Sequence, residues 1–414
     1  MLGNIVIGQS GGPTAVINCS VAGVYAEAKK LGAPKVFGMV HGIEGFLEDK
    51  LCDLDNYLAD PMGLELLKRT PSAFLGSCRY KMPAIEGHED VYEKVIAIME
   101  KHDIEVMFYI GGNDSMDTVK MLSDFAAEKG KKQRFIGVPK TIDNDLPVTD
   151  HCPGYGSAAK YIATSLKEII RDNESFGAAK PTVCVVEIMG RHAGWLTAAA
   201  ALAKGDDCSG ADAIYLPETV FDMDAFMEKV EHLAKTKRSV VIAVSEGVKL
   251  ADGTFVCEAG AGAAAVDAFG HKQLSGCAAI LSRMIAEKTG LKTRAIEFST
   301  LQRAASHIAS ATDAEDAFQS GRDAAKAAAD GKTGVMVILK RLQSDPYLCG
   351  TDIYDIHEIA NVERHVPVEW ITEDGCGLTE DFIAYASPLI QGEVPQIYVN
   401  GTPRHLIMKE LAEF

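Results

Sequence analysis

Two short apolar segments, each ending in a loop of glycine and charged residues, constrain the fold of this chain more than any other feature. The sequence VMFYI at 106–110 has the length and composition of a buried parallel strand, and GGNDS at 111–115 follows it. The second segment, FIGV at 135–138, runs into PKTIDND at 139–145. In an open α/β sheet, the carboxyl ends of such strands form the ligand-binding edge. The pattern therefore predicts a binding site built from these two loops.

The same strand-then-loop pattern recurs along the chain. The strand NIVI at 4–7 leads into a glycine-rich turn at 8–12, where backbone N–H groups and a helix N-terminus favour an anion. A purely structural tight turn explains a single glycine pair equally well. Further strands, at 181–188 and 239–244, also end in glycine plus a charged residue. This repetition predicts two doubly wound α/β domains that face each other.

We expect two α/β domains and a C-terminal region, which begins where the strand-then-loop pattern weakens beyond Ser344. We assign residues 1–154 plus about 304–345 to one α/β domain and residues 155–303 to the other. Residues 346–414 are expected to form a C-terminal extension packed on the body, since they carry no recognisable chemical motif. The glycine- and alanine-rich residues 258–270 predict a loop.

The composition argues against several classes of function. The net charge of −17 disfavours a nucleic-acid or anionic-membrane partner, although a small anionic substrate needs only a few local cations. The ten cysteines form no C-x-x-C pair, which disfavours a zinc or redox site and indicates a reduced compartment. Neither a signal peptide nor an apolar run long enough to span a bilayer is evident, so we expect a cytoplasmic protein.

Several motifs together resemble the phosphofructokinase family, and most closely its pyrophosphate-dependent members. The motifs that carry the resemblance, in order, are the glycine turn at 8–18, the loop at 74–79, GGNDS at 111–115, PKTIDND at 139–145, MGR at 189–191, and Arg294 followed by Gln302-Arg303. The likeness runs from residue 4 to about residue 340. It implies two doubly wound α/β domains with the active site in the cleft between them. The implied activity is that of a phosphotransferase that moves a phosphoryl group from pyrophosphate to the 1-hydroxyl of fructose 6-phosphate. The products would be fructose 1,6-bisphosphate and phosphate, in a reversible step of glycolysis.

The resemblance also implies a cofactor, partners and residue roles. The cofactor would be Mg²⁺, and the protein would be a homodimer or homotetramer with a donor-binding first domain and a sugar-phosphate-binding second domain. Asp143 would be the catalytic base, with Lys140 and Arg191 beside the transferring group. The donor would be bound and selected by Gly11, Gly12, Arg79, Asp114 and Lys140. The sugar phosphate would be bound by Thr141, Ile142, Asp143, Met189, Gly190, Arg191, Glu246, Arg294, Thr300 and Arg303.

The chemistry of phosphoryl transfer agrees with these roles. The reaction needs in-line positioning and cations around the transferring group more than covalent chemistry, and a general base adds about 10²–10⁴-fold. Judged without the family, Asp143 and Asp145 are equally well explained as helix or turn caps. Glu246 and Arg294 are then as consistent with salt-bridged scaffold as with ligands. Asp145 is not assigned a catalytic role.

Asp114 and Lys140 bear on the identity of the phosphoryl donor. Relatives that use ATP usually have glycine in place of Asp114 and lack Lys140. Asp114 would lie near the α-phosphate of ATP, where a like-charge contact near 4 Å costs about 1–4 kcal/mol. Val40 and His41 also stand where such relatives place an aromatic residue under the adenine. These residues predict pyrophosphate. The alternatives are an ATP-dependent 6-phosphofructokinase and, in a different class, a catalytically silent regulatory subunit that binds sugar phosphate.

Some positions depart from the family pattern. Asn113 stands where many relatives have a magnesium-binding aspartate, so the metal is assigned to Asn113 or Asp114 without a choice between them. Thr300 replaces a histidine or tyrosine, and Ala304-Ala305 replace a glycine pair, which leaves the choice of sugar phosphate open. The intact Asp143 argues against a silent subunit.

Overall fold

Two sheets, one mainly and one entirely parallel, form the framework of the molecule. It was obtained as a computed structural model that describes residues 2–176, 180–258 and 276–412. Residues 259–270 of the predicted loop at 258–270 lie outside the described residues. The strands are β1 Asn4–Gln9, β2 Val36–Met39, β3 Leu51–Asp53, β4 Ile104–Gly111, β5 Arg134–Pro139, β6 Thr182–Ile188, β7 Ala213–Tyr215, β8 Ser239–Ser245, β9 Lys292–Glu297, β10 Val335–Ser344, β11 Tyr347–Asp355, β12 Tyr398–Val399 and β13 Thr402–Pro403.

Helices separate most of these strands. They are α1 Ile17–Lys30, α2 Gly42–Leu47, α3 Asp55–Leu58, α4 Pro61–Arg69, α5 Glu89–Lys101, α6 Asn113–Glu128, α7 Tyr155–Glu174, α8 Trp195–Ala198, α9 Met223–Thr236, α10 Cys277–Thr289, α11 Leu301–Ala304, α12 Ala311–Ala329, α13 Glu380–Ala386 and α14 Lys409–Ala412. Short 3₁₀ helices occur at Ala199–Ala203, Val256–Glu258, Ser306–Ile308, Ile356–Glu358, Val368–Trp370 and Ser387–Ile390.

The first sheet has the strand order β11-β10-β5-β4-β1-β2-β3. Its five inner strands are parallel, and the edge strands β11 and β3 are antiparallel to their neighbours. The chain leaves β1 toward β2 on one side and later returns to β4 on the other, so the topological switch point lies between β1 and β4. Because Gln9 pairs with Ile110 and Gly111 with Pro139, the loops after β1, β4 and β5 emerge side by side.

The second sheet has the order β7-β8-β6-β9 and is entirely parallel. Ile188 pairs with Ser245 and Glu187 with Glu297, which brings the carboxyl ends of β6, β8 and β9 to one edge. The predicted fold class of two α/β units is therefore confirmed.

The hydrophobic core explains the continuous apolar run at 106–110 in β4. Val106, Phe108 and Ile110 face one cluster, which includes α1 and α12, whereas Met107 and Tyr109 face the opposite cluster against α5 and α6. A strand covered by helices on both faces shows a continuous apolar run rather than alternation.

The C-terminal residues contribute to both halves of the molecule. β11 is hydrogen-bonded into the first sheet, a strand that the sequence pattern did not indicate. Phe382 and Ala386 on α13 belong to the core of the second half, and Met408 belongs to the core of the first. Residues 346–412 therefore pack against both α/β units.

The ten cysteines are free thiols in the structure, and all but Cys349 are buried. Among the described helices, none combines the length and apolar content that crossing a bilayer requires.

Candidate active site

A cleft of about 640 Å³ is lined by loops from both sheets and by a short segment near residue 363. The sequence-predicted site residues that line it are Gly11, Gly12, Arg79, Asn113, Asp114, Lys140, Thr141, Ile142, Asp143, Met189, Arg191, Glu246 and Arg303. These residues lie up to 292 positions apart in the chain (Gly11 to Arg303). The topology brings them together because most of them follow the carboxyl end of a parallel strand, while Arg79 is held beside the turn after β1 by the bond from the Gly11 N–H to Cys78 O.

Lys140 joins the loop after β5 to the glycine turn after β1. Its backbone N–H donates to Gly111 O at 3.0 Å, and its Nζ donates to Gly12 O at 2.8 Å. The side chain is 3% exposed, and this burial lowers the pKa of Lys140 to about 8, against the opposing effect of the Asp143 charge. The ammonium group is therefore held at the turn, with a protonation equilibrium close to neutral pH.

The glycine turn leaves room for a second cation. Gly11 has a φ of +73°, which favours glycine, and a Cβ on Gly12 would lie 3.1 Å from Arg303 Nη1. The turn thus allows the guanidinium group of Arg303 to approach the backbone closely. Lys140 and Arg303 together form a positive site of the kind that binds phosphate.

Asp143 and Asp145 lie in the loop that follows Lys140. The Asp143 N–H donates to Thr141 Oγ1 at 3.0 Å, which helps to fix the loop. Burial raises the pKa of Asp143, while the charges of Lys140 and Arg303 oppose that rise. Burial, together with the Asp143 charge, raises the pKa of Asp145 to about 7. A carboxylate with a raised pKa next to cations is suited to accept a proton from a hydroxyl group.

The loops of the second sheet supply Glu246 to the opposite side of the cleft. Glu246 follows β8, and its Oε1 accepts the Gly190 N–H at 3.4 Å. Burial raises the pKa of Glu246 to about 7, and the Gly190 N–H opposes this rise. Gly190 itself has a φ of +143°, and a Cβ there would lie 2.8 Å from Ala193 O, so only glycine fits.

Three predicted site residues do not line the cleft: Gly190, Arg294 and Thr300. Gly190 acts through its backbone bond to Glu246. Arg294 instead forms an ion pair with Asp172 at 3.0 Å and stacks on Phe176, with its guanidinium carbon 4.4 Å from the ring centroid. Arg294 therefore does not line this cleft within the single chain, and its predicted role in binding the 6-phosphate stays a prediction. The physical reason is its position in the middle of β9, where it pairs with Cys184 rather than reaching the carboxyl edge.

Sequence reasoning missed the segment that carries Asn361, Glu363 and His365, all of which line the cleft. No local pattern marks this segment, because its place depends on contacts with residues far away in the chain. One such contact is to Asn113, whose amide group donates to Val362 O at 2.8 Å and accepts the Asn361 N–H. Both ends of the Asn113 amide group are therefore hydrogen-bonded to this segment.

The oxygen atoms in the cleft fit a magnesium ion. Asp114, Asp143, Asp145 and Glu363 line it, and Mg²⁺ in phosphoryl-transfer sites takes one or two carboxylates plus phosphate oxygens. Within the described part of the chain, Asp145 Oδ1 is a buried oxygen without a hydrogen-bond partner, and a cation would satisfy it. Asp114 is favoured over Asn113 because the Asn113 amide is already engaged.

Comparisons with known proteins agree with this geometry. A family model described as "Phosphofructokinase" matches residues 4–328. The pyrophosphate–fructose 6-phosphate 1-phosphotransferase of Halomonas elongata is 41% identical over 421 residues, covering 99% of both chains. The enzyme of the same name from Methylococcus capsulatus is 40% identical, covering 99% of this chain and 96% of its own. The crystal structure of a pyrophosphate-dependent phosphofructokinase from Marinobacter aquaeolei superposes with a TM-score of 0.86 at 37% identity, covering 98% of this chain and 96% of that one. The chain belongs to the phosphofructokinase family.

Proposed function

We propose that this protein transfers a phosphoryl group from pyrophosphate to the 1-hydroxyl of fructose 6-phosphate, reversibly, to give fructose 1,6-bisphosphate and phosphate. The observation that carries the proposal is the presence of Lys140, Asp114 and Asp143 in one cleft. The relatives with 40–41% identity, whose names state this reaction, support it. We further propose that the enzyme acts in glycolysis as a cytoplasmic homodimer or homotetramer.

The proposed mechanism assigns the proton transfer to Asp143. Its carboxylate takes the proton of the 1-hydroxyl as that oxygen attacks the nearer phosphorus of pyrophosphate, and the bond to the bridging oxygen breaks to release phosphate. Lys140 and Arg191 offset the negative charge on the transferring group. Asp114 and Asp145 would hold Mg²⁺, which would supply positive charge that offsets part of the negative charge of the phosphate groups.

The remaining residues bind the two substrates. Gly11, Gly12 and Arg79 would bind the donor. Thr141 and Ile142 would contact fructose 6-phosphate, the acceptor, next to Asp143. Met189 and Gly190 would position the sugar, Glu246 would accept hydrogen bonds from its hydroxyl groups, and Arg303 would hold the 6-phosphate. Residues 1–154 with 304–345 thus act as the donor-binding domain, and residues 155–303 as the sugar-phosphate domain.

Pyrophosphate is proposed as the donor because of charge and space. Asp114 is the only acidic side chain in the first turn of α6, where the helix N-terminus would otherwise attract a further phosphate group. A longer polyphosphate chain would meet that carboxylate, whereas the two phosphates of pyrophosphate are compensated by Lys140 and the metal.

The test is the formation of fructose 1,6-bisphosphate from fructose 6-phosphate and Mg²⁺, with pyrophosphate and ATP compared at equal concentration. We expect a large preference for pyrophosphate, and a loss of about 10²–10⁴-fold in kcat for Asp143→Asn with either donor. A preference for ATP would overturn the assignment of pyrophosphate as the donor but leave the assignment of Asp143 as the base unchanged. Binding of fructose 6-phosphate without turnover would favour the silent regulatory subunit.

A further inference from the structure

A short segment outside the region matched by the family model crosses the candidate active site. Residues 361–366, here called the strap, lie beyond residue 328, where that match ends. Asn361, Glu363 and His365 of the strap line the cleft, and Arg364 does not. The strap has hydrogen bonds to both halves of the molecule, and the contacts at its two ends differ.

One end of the strap is attached to the donor side of the cleft. The Asn361 N–H donates to Asn113 Oδ1, and Asn113 Nδ2 donates to Val362 O at 2.8 Å. Asn361 Nδ2 also donates to Asp117 Oδ1 at 3.0 Å. Asn113 and Asp117 lie on one face at the beginning of α6, directly beside Asp114. These bonds tie the strap to the turn proposed to carry the metal and donor.

The other end is attached to the second half of the molecule. His365 Nδ1 lies 3.0 Å from His192 O, and the Val366 N–H donates to Glu218 Oε1 at 3.0 Å. The same Glu218 oxygen accepts the Gly194 N–H at 2.7 Å. The strap therefore spans the cleft from α6 to the loop that follows Met189 and Arg191.

Arg364, in the middle of the strap, holds the loop that carries Asp143. Its backbone N–H donates to Asp145 O at 2.7 Å. Its guanidinium group donates to three further carbonyl oxygens of the loop, those of Asn144 at 3.0 Å, Thr149 at 2.8 Å and Asp150 at 2.8 Å. One side chain thus fixes the path of the chain on the C-terminal side of the proposed base.

Arg364 also contacts the hydrophobic core of the second half of the molecule through Trp195. Its guanidinium carbon lies 4.7 Å from the centroid of a Trp195 ring, and its carbonyl oxygen accepts the Trp195 Nε1–H at 3.0 Å. Trp195 is buried in the core of the second half of the molecule. Arg364 is consequently fixed against that core at the same time as it binds the base loop.

We propose that the strap is a positioning element for phosphoryl transfer, in which Arg364 sets the place of Asp143 relative to the donor turn held by Asn361. This inference rests on the proposed function, because it assigns Asp143 as the base. Displacement of a reacting group by 1 Å costs about 10²-fold in rate. Arginine is required because its planar fork reaches several carbonyl oxygens at once, whereas lysine presents a single point charge.

The test compares Arg364→Lys with Arg134→Lys. Arg134 is a matched control because its guanidinium group also donates to a backbone carbonyl, that of Ala328, at the opposite end of β5 from the cleft. For Arg364→Lys we expect kcat to fall by about 10–100-fold, with KM for both substrates changing by less than about threefold. KM is retained because Arg364 does not line the cleft. For Arg134→Lys we expect kcat to stay within about twofold of the wild type.

Hydrogen exchange of the backbone amides at 141–152 provides a readout that does not depend on turnover. We expect faster exchange in this stretch for Arg364→Lys and no change there for Arg134→Lys. An unchanged kcat in folded Arg364→Lys, or equal losses of kcat in both variants, would overturn the positioning role. If wild-type protein showed no turnover, the proposed function would fail. In that case, unchanged hydrogen exchange at 141–152 in Arg364→Lys would separately overturn the positioning role of the strap.

Discussion

At the scale of single residues, the cleft depends on side chains whose protonation is changed by burial. Lys140 supplies a positive charge only while protonated, and burial lowers its pKa to about 8. Asp143 accepts a proton only while ionised, and burial raises its pKa. Activity should therefore fall at low pH, as Asp143 and its neighbour Asp145 take up a proton, and at high pH, as Lys140 loses one. Both groups titrate in the free enzyme, so a plot of kcat/KM against pH should decline on the acidic side and on the basic side.

Lys140→Arg tests the basic limb. Arginine stays charged above pH 12, so we expect the decline of kcat/KM near pH 8 to disappear or move up by more than about one pH unit, although the geometry of arginine lowers the maximum rate. The measurement is kcat/KM for pyrophosphate between about pH 6 and pH 10. The ionisation of pyrophosphate is the same for both proteins, so it cancels in the comparison. An identical basic limb in the two proteins would show that Lys140 is not responsible.

The second residue-scale prediction concerns the choice of donor. Replacing both Asp114 and Lys140 with glycine removes the charge that opposes a longer phosphate chain and the cation that compensates pyrophosphate. We expect the double variant to lose about 10²-fold or more of its pyrophosphate-dependent kcat/KM and to gain measurable use of ATP. The two single variants separate the effects, since only the change at Asp114 should admit ATP. Retention of full pyrophosphate activity in the double variant would contradict the donor assignment.

At the scale of secondary-structure elements, the sequence predicted those features that depend on residues close together in the chain. The apolar run of β4 and the loop after it were predictable because a strand buried on both faces needs continuous apolar residues. Lys140 lies at the carboxyl edge of the sheet because it is the first residue after β5, whose apolar residues were recognisable in the sequence. The position of Arg294 was not predictable from its motif, because it depends on the register of β9 against β6. The strap was not predictable at all, since its position rests on bonds to residues about 150–250 positions earlier in the chain.

The beginning of α7 illustrates a similar long-range dependence. The Asp313 carboxylate on α12 accepts the N–H groups of Gly154 at 2.8 Å and Ser157 at 2.9 Å, and so caps α7 from a distant helix. Asp313 is buried, so its removal would leave both N–H groups without a partner and without water. Such groups cost about 1–3 kcal/mol each.

Asp313→Ala should therefore lower the free energy of unfolding by about 2–4 kcal/mol. The matched control is Asp222→Ala, because Asp222 caps the exposed beginning of α9 by accepting the N–H groups of Asp224 and Ala225, both at 2.9 Å. Water can replace Asp222, so we expect a loss of only about 1 kcal/mol there. Urea unfolding followed by circular dichroism measures both values. A loss for Asp313→Ala no larger than that for Asp222→Ala would contradict the role of burial.

At the scale of the whole molecule, the net charge and the charge of the cleft have opposite signs. The chain carries a net charge of −17, yet Arg79, Lys140, Arg191 and Arg303 meet in one cleft. The overall charge repels anionic substrates at long range, and the cleft attracts them at short range. The Debye length is about 30 Å at 0.01 M salt and about 10 Å at 0.1 M, so salt first screens the long-range repulsion and only then the local attraction.

The dependence of KM on salt concentration should reveal whether the negative net charge or the positive charge of the cleft controls substrate binding. Because the four cations line the same cleft as the proposed donor-binding residues, we expect KM for pyrophosphate to rise about threefold or more between about 0.1 M and 0.5 M KCl, while kcat changes little. Below about 0.1 M, the change should be smaller or reversed, since the repulsion from the acidic surface is screened there. Steady-state kinetics at a constant concentration of the magnesium–pyrophosphate complex measures both regions. A KM that falls steadily over the whole range would mean that the net charge, rather than the cleft, determines substrate binding.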